Sequence, residues 1–158
     1  MKKILNPYDS ELNRCFGCGQ KNSIGLKLRF TESEEYLHAV WQPTEDYEGY
    51  PNVLHGGIIA ALLDEIGAWC TTVKLGTACV TSEMYTKYLN PVYINKGEIS
   101  LKAKIIEHTE KNAKLICQLF DGKAKLCAES VACYFIYPEE IARKRFRFPG
   151  RDAFYEKE

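Results

Sequence analysis

Residues 51–70 read PNVLHGGIIAALLDEIGAWC. Two adjacent glycines, Gly56 and Gly57, stand at the mouth of the most apolar element of the chain, and a carboxylate pair, Asp64 and Glu65, interrupts it further on. The body reads helical over roughly residues 54–74, with Asn52 placed to cap its start and Gly76 to stop it. Gly67 weakens that helix, because an interior glycine costs about 1 kcal/mol against alanine. A bare helix entry followed by acids needs an explanation beyond packing.

On either side the pattern is that of strands. Upstream, GLKLRFTESEEYLHAVWQP from Gly25 reads as two strands around a polar turn at residues 33–35, then an ordered loop through Gly49 and Pro51. Downstream, TACVTSEMYTKYLNPV, EISLKAKIIEHTEK, NAKLICQLFDG and KAKLCAESVACYFIYP read as four strands rich in Val, Ile, Tyr and Thr. Within the second, Ile99, Leu101, Ala103 and Ile105 alternate with Ser100, Lys102 and Lys104, which predicts one buried and one wet face. Asp121 and Gly122 signal a short hairpin and HTEKNAK a slightly longer turn, so the sheet should be antiparallel. Two strands, one long helix and four strands make an α+β domain whose helix covers one face of a curled sheet. The tail after Pro138, EEIARKRFRFPGRDAFYEKE, reads as a short helix and an irregular, solvated end.

A chain of 158 residues suits one domain, and 46% hydrophobic residues supply a core, which excludes disorder as a reading of the whole. With 21 basic and 21 acidic residues there is no global field to recruit nucleic acid or a membrane surface. No segment approaches the roughly 20 apolar residues of a membrane span, and MKKILNPYDSELNRC lacks a signal-peptide core. A cytoplasmic protein is therefore expected. Seven cysteines form an odd set that suits a reducing compartment better than a disulfide framework. Cys15 and Cys18 make a Cys-X-X-Cys, but zinc would need two further ligands, and a redox pair would open a helix after a strand. A turn or packing role is the resulting expectation, with no metal.

HGGIIAALLDE, with the upstream CFGCGQKNSIGLKLRF and the downstream TKYLNPV, resembles the hotdog-fold acyl-CoA thioesterases of the phenylacetic-acid-type thioesterase superfamily. The resemblance covers approximately residues 15–137 in element order. It implies a hotdog fold, in which a long central helix is wrapped by a curved antiparallel sheet, and hydrolysis of an acyl thioester without cofactor. It also implies a homodimer with joined sheets and active sites at the subunit interface, with a tetramer of two dimers as a further level of assembly. The hotdog domain would span residues 25–137, with residues 1–24 packing on it and residues 138–158 as a charged tail. By position in the motif, Gly57 is the main-chain donor to the thioester carbonyl, with Gly56 beside it. Asp64 is the general base or nucleophile, and Thr81, with Ser82 as the alternative, orients the attacking water. Asn52 and His55 lie ahead of the glycines as substrate-side residues, and Lys87 lies toward the nucleotide end of the groove.

The residues support this chemistry independently. Free N–H groups and the positive end of the helix dipole make Gly56 and Gly57 a place to receive negative charge, although glycine also serves a tight helix entry. Asp64 lies seven residues beyond Gly57, about 10 Å along the axis at 1.5 Å per residue. A carbonyl and its attacking water each need a partner at about 3 Å, so one subunit's Gly57 and Asp64 are poorly placed to serve one substrate. An antiparallel neighbouring helix would join Asp64 of one copy to Gly57 of the other. Glu65 points about 100° away and is read as solvated or structural. His55 has no nearby nucleophile to form a triad and is read chiefly as fixing the glycine backbone. Basic residues of RKRFRF, among them Arg143 and Arg147, could meet coenzyme A phosphates if not solvated. Two further readings stand beside hydrolysis: a non-catalytic acyl-CoA binding or sensing module, and an enoyl-CoA hydratase on the same fold.

Overall fold

The structure, a computed structural model, describes residues 1–8, 11 and 13–156; the last two residues of the charged tail lie outside the described residues. Its centre is helix α1, Gly56–Leu75. Ile59, Leu62, Leu63, Ile66, Trp69, Cys70 and Val73 recur at three- and four-residue spacing and are all buried. Each such large side chain contributes roughly 1.5–3 kcal/mol by burial. The helix ends as expected: Gly76 adopts the left-handed conformation at φ 69°, and its N–H donates to the Thr72 carbonyl. Lys74 in the last turn pairs with Glu32 at 2.7 Å and donates to the Ser33 and Glu34 carbonyls, tying this end to the sheet.

The start of α1 differs from the expectation. His55, not Asn52, is the N-cap, and the helix begins two residues later than the reading from residue 54. Asn52 instead adopts φ 63°, a conformation asparagine tolerates, and its side-chain oxygen accepts the Asn95 N–H at 3.0 Å. It therefore locks the approach loop to residues 94–95 rather than capping α1.

Seven strands form one antiparallel sheet: β1 Lys2–Ile4, β2 Phe30–Glu32, β3 Leu37–Trp41, β4 Cys79–Tyr88, β5 Ile99–His108, β6 Asn112–Phe120 and β7 Leu126–Ile136. Their spatial order is β1-β2-β3-β5-β6-β7-β4. On β5, Ile99, Leu101 and Ala103 are buried and Ser100 is exposed, as the alternation requires. Ala113, Leu115, Cys117 and Leu119 of β6 continue the same face, and α1 packs across it. β5, β6 and β7 are joined by successive hairpins, but β4 crosses to pair with β7. The turn at Asp121 is longer than the two-residue hairpin its Asp-Gly suggests: Asp121 accepts from the Lys123 and Lys125 N–H groups, and Ala124 takes the positive φ.

Two features were not foreseen. β1 adds a strand beyond β2, and its following residue Leu5 donates to the Phe154 carbonyl. The tail forms the expected short helix, α2, Glu139–Phe146, and its charged side chains are exposed, but Phe148 and Phe154 beyond it are buried. Phe154 meets Trp69 edge to face at 5.6 Å, and Trp69 stacks on Phe30 at 4.6 Å. Phe148 and Phe154 are thus core residues, while Phe146 stays exposed, a distinction composition alone cannot make. No helix among the described residues is long and apolar enough to cross a membrane.

Candidate active site

β4 is an edge strand of 10 residues, paired on one side only, and most of its residues are exposed. It runs antiparallel to α1. Near its start, Thr81 donates to Asp64 Oδ1 at 2.7 Å; at its end, Tyr88 donates to the Gly56 carbonyl at 3.0 Å. The edge strand and the exposed side of α1 therefore form one surface that carries Asp64 and Thr81 at one end and the helix entry at the other.

Asp64 is half-buried, and its carboxylate is oriented from two sides. Tyr134 on β7 donates to the Asp64 carbonyl at 3.0 Å and lies 3.3 Å from Oδ1. Both hydroxyls thus converge on Oδ1, and among the described residues nothing donates to Oδ2. Burial holds the Tyr134 phenol well above its ordinary value, so it remains a neutral donor. Tyr134 is absent from the candidates read off the sequence, yet Gly67 signals it. A Cβ at position 67 would stand 2.1 Å from the Tyr134 oxygen, so the interior glycine is the gap through which that hydroxyl reaches α1.

At the helix entry, His55, Gly56 and Gly57 are all exposed. His55 Nδ1 accepts the Gly57 N–H at 2.9 Å. The donor singled out for the substrate is therefore engaged by its own cap. The Gly56 N–H has no acceptor among the described residues and faces the same entry.

The remaining candidates are dispersed. Ser82 follows Thr81 at a register irregularity and donates to the Cys133 carbonyl at 3.0 Å, away from Asp64. Lys87 is exposed on β4, its ammonium 6.0 Å from the Tyr85 ring centroid. Asn52 stays in the approach loop with its side-chain oxygen in use. Arg143 pairs with Glu139 on α2.

Glu65 is not solvated. It turns to a different side of α1 from Asp64, where Trp69 Nε1 donates to its Oε1 at 3.0 Å and Cys15 Sγ lies 3.5 Å away. Burial pushes its carboxyl up to about 7. The Cys-X-X-Cys does form a turn, in which the Cys18 N–H donates to Cys15 Sγ at 3.3 Å. Hydrogen bonds from the Cys18 thiol and from main-chain N–H groups hold the Cys15 thiol below its usual range. Fifty intervening residues conceal this meeting in the sequence.

Residues 51–128, from the approach loop through the candidate site to β7, match the family model described as Thioesterase superfamily. An esterase candidate of Saccharolobus solfataricus is 27% identical over 101 residues, which cover 63% of this chain and 71% of that protein. Among solved structures, a mutant thioesterase of Pseudomonas aeruginosa superposes with a TM-score of 0.67 at 22% identity, covering 75% of this chain and 88% of that one. A Bacillus halodurans protein solved with CoA superposes at 0.59 and 21% identity, covering 63% of this chain and 70% of that one. The helix laid on a curved antiparallel sheet is common to them. The chain thus has the hotdog fold, and its residues 51–128 match the thioesterase superfamily.

Proposed function

We propose that this protein hydrolyses an acyl-CoA thioester to a free carboxylic acid and coenzyme A. The observation that carries the reading is the hydrogen bond from exposed Thr81 to Asp64 Oδ1, which leaves Oδ2 without a donor among the described residues. A water there can give its proton to Asp64 as its oxygen attacks the thioester carbon. The new C–O bond forms, the C–S bond breaks, and the proton passes to the leaving thiolate. Attack by Asp64 itself, through an acyl-enzyme anhydride, uses the same placement.

Negative charge on the carbonyl oxygen needs donors, and the entry of α1 supplies them. Gly56 offers its N–H directly, and Gly57 offers its own when the carbonyl oxygen displaces His55 Nδ1. Because Asp64 and Gly57 lie about 10 Å apart on one helix, these groups come from two subunits. Pairing β4 antiparallel with a second copy brings the Asp64 end of one chain to the glycine end of the other. The exposed edge and its uncovered Val80, Tyr85 and Tyr88 favour that homodimer. Two such dimers could stack as a tetramer. Asn52, Ser82 and Lys87 would then border the substrate rather than its reacting atoms.

The Bacillus halodurans structure was solved with CoA, which supports CoA as the leaving group here. All seven cysteines are free, which suits a reducing cytoplasm. The test is release of CoA thiol from short, long and aryl acyl-CoAs. Turnover of at least one is expected. A folded protein that binds acyl-CoA but releases thiol from none would instead be a binding module, and reversible hydration of an enoyl-CoA would make it a hydratase.

A further inference from the structure

On the side of α1 away from Asp64, Cys15 Sγ, Cys18 Sγ and a Glu65 carboxylate oxygen all lie within 4.8 Å of one another. We propose that these three groups form a binding site for a zinc-class divalent cation, with a fourth coordination position open to the adjoining cavity. Two thiolates and one carboxylate are a borderline-soft donor set that suits tetrahedral zinc. With Zn–S near 2.3 Å and Zn–O near 2.0 Å, the sulfur-to-oxygen edge of such a tetrahedron is about 3.5 Å. The Cys15 Sγ to Glu65 Oε1 separation is 3.5 Å, so that edge already has the length a bound cation requires.

The three groups are held by contacts of their own. Gly19 N–H donates to the Cys15 carbonyl at 3.0 Å and Cys18 N–H to Cys15 Sγ at 3.3 Å, closing the turn around the first sulfur. Gly17 packs so tightly on Glu65 that a Cβ there would stand 2.2 Å from the carboxyl carbon. Trp69 Nε1 fixes Oε1, the kind of outer contact that orients a metal-bound carboxylate. Glu65 has no salt bridge among the described residues, so a cation would supply the missing counter-charge.

A second observation comes from the cavity. It measures about 590 Å³ and is lined by all three groups together with Asn13, Trp69 and Arg147. Asn13 Nδ2 is buried there without a hydrogen-bond partner among the described residues. A buried donor without an acceptor is costly, and a water or small anion in the fourth position would provide one. The site shares no side chain with the proposed hydrolysis, so either can fail without the other.

The experiment is metal uptake by the full chain, reduced and stripped with a chelator, titrated with Zn²⁺ against a chromophoric competitor and separately with Co²⁺. One equivalent of zinc per chain is expected, with tetrahedral Co²⁺ absorption and a thiolate-to-cobalt charge-transfer band. Cys15→Ser and Cys18→Ser should each lower affinity at least about 100-fold, and Glu65→Gln about 10-fold. Because Cys18 is buried and Cys15 only partly so, Cys15→Ala is the decisive substitution if the Cys18 variant fails to fold. Absence of stoichiometric uptake by reduced wild type, or uptake unchanged in Cys15→Ala, overturns the proposal. So does a protein that isolates with a Cys15–Cys18 disulfide and takes up no metal once reduced.

Discussion

The Tyr134 hydroxyl crosses from β7 to the middle of α1 and donates to the Asp64 carbonyl at 3.0 Å, with Oδ1 of the same residue at 3.3 Å. It thereby fixes both the main chain and the carboxylate of the residue assigned to activate water. In Tyr134→Phe, kcat should fall several-fold with little change in KM, and stability should drop by about 1 kcal/mol, the usual net worth of one hydrogen bond. Steady-state kinetics and urea unfolding check this. An unchanged kcat would show that the contact serves packing alone.

Gly67→Ala reverses the usual helix preference. Alanine would gain about 1 kcal/mol of propensity, but its Cβ would meet the Tyr134 oxygen at 2.1 Å and Cys117 Sγ at 2.9 Å. Overpacking should dominate, with a net loss of about 1–3 kcal/mol and a lower kcat as the tyrosine is pushed off Asp64. A variant more stable than wild type by thermal melting would contradict the close approach.

These two residues also show what the sequence revealed and what it concealed. Apolar residues on one side of α1, Gly76 at its end and the alternation of Ile99, Leu101 and Ala103 identify the helix and sheet, because burial imposes its period locally. Asp64 and Thr81 were nameable from the motif, and their hydrogen bond follows from the turn at Gly76 that folds β4 back along α1. Glu65 with the cysteines and Phe154 against Trp69 were not legible, and Gly67 marks a close approach without naming Tyr134 as its partner. Each depends on residues brought together across 50 or more positions, for which neither period nor spacing leaves a trace.

Stability should decline in alkali. Burial raises the Tyr134 phenol and the Cys117 thiol and pushes Cys70 up to about 12. These groups stay protonated in the native state, while the unfolded chain ionises its thiols from about pH 8.5 and its tyrosines from about 10. The native state then holds more protons, so the stabilisation is complete below about pH 8.5 and is lost as pH rises through the native values. Thermal melts between pH 7 and 11 should fall from about pH 9, less steeply above 10 in Tyr134→Phe. A level profile would contradict the burial.

The dimer rests on β4. Tyr85, 64% exposed near the middle of that edge, should tolerate lysine in a monomer but not across a paired strand. Wild type should sediment as a dimer or tetramer, and Tyr85→Lys as a folded monomer with activity reduced at least about 100-fold. A wild-type monomer with full turnover would contradict a shared site.

The most direct measurement is acyl-CoA hydrolysis by wild type and Asp64→Asn over a panel of chain lengths, with folding checked by circular dichroism. The expected result is a kcat lowered about 10²–10⁴-fold, the usual contribution of a general base, with KM changed little. An Asp64→Asn variant that turns over its best substrate at the wild-type rate would contradict the assignment of Asp64.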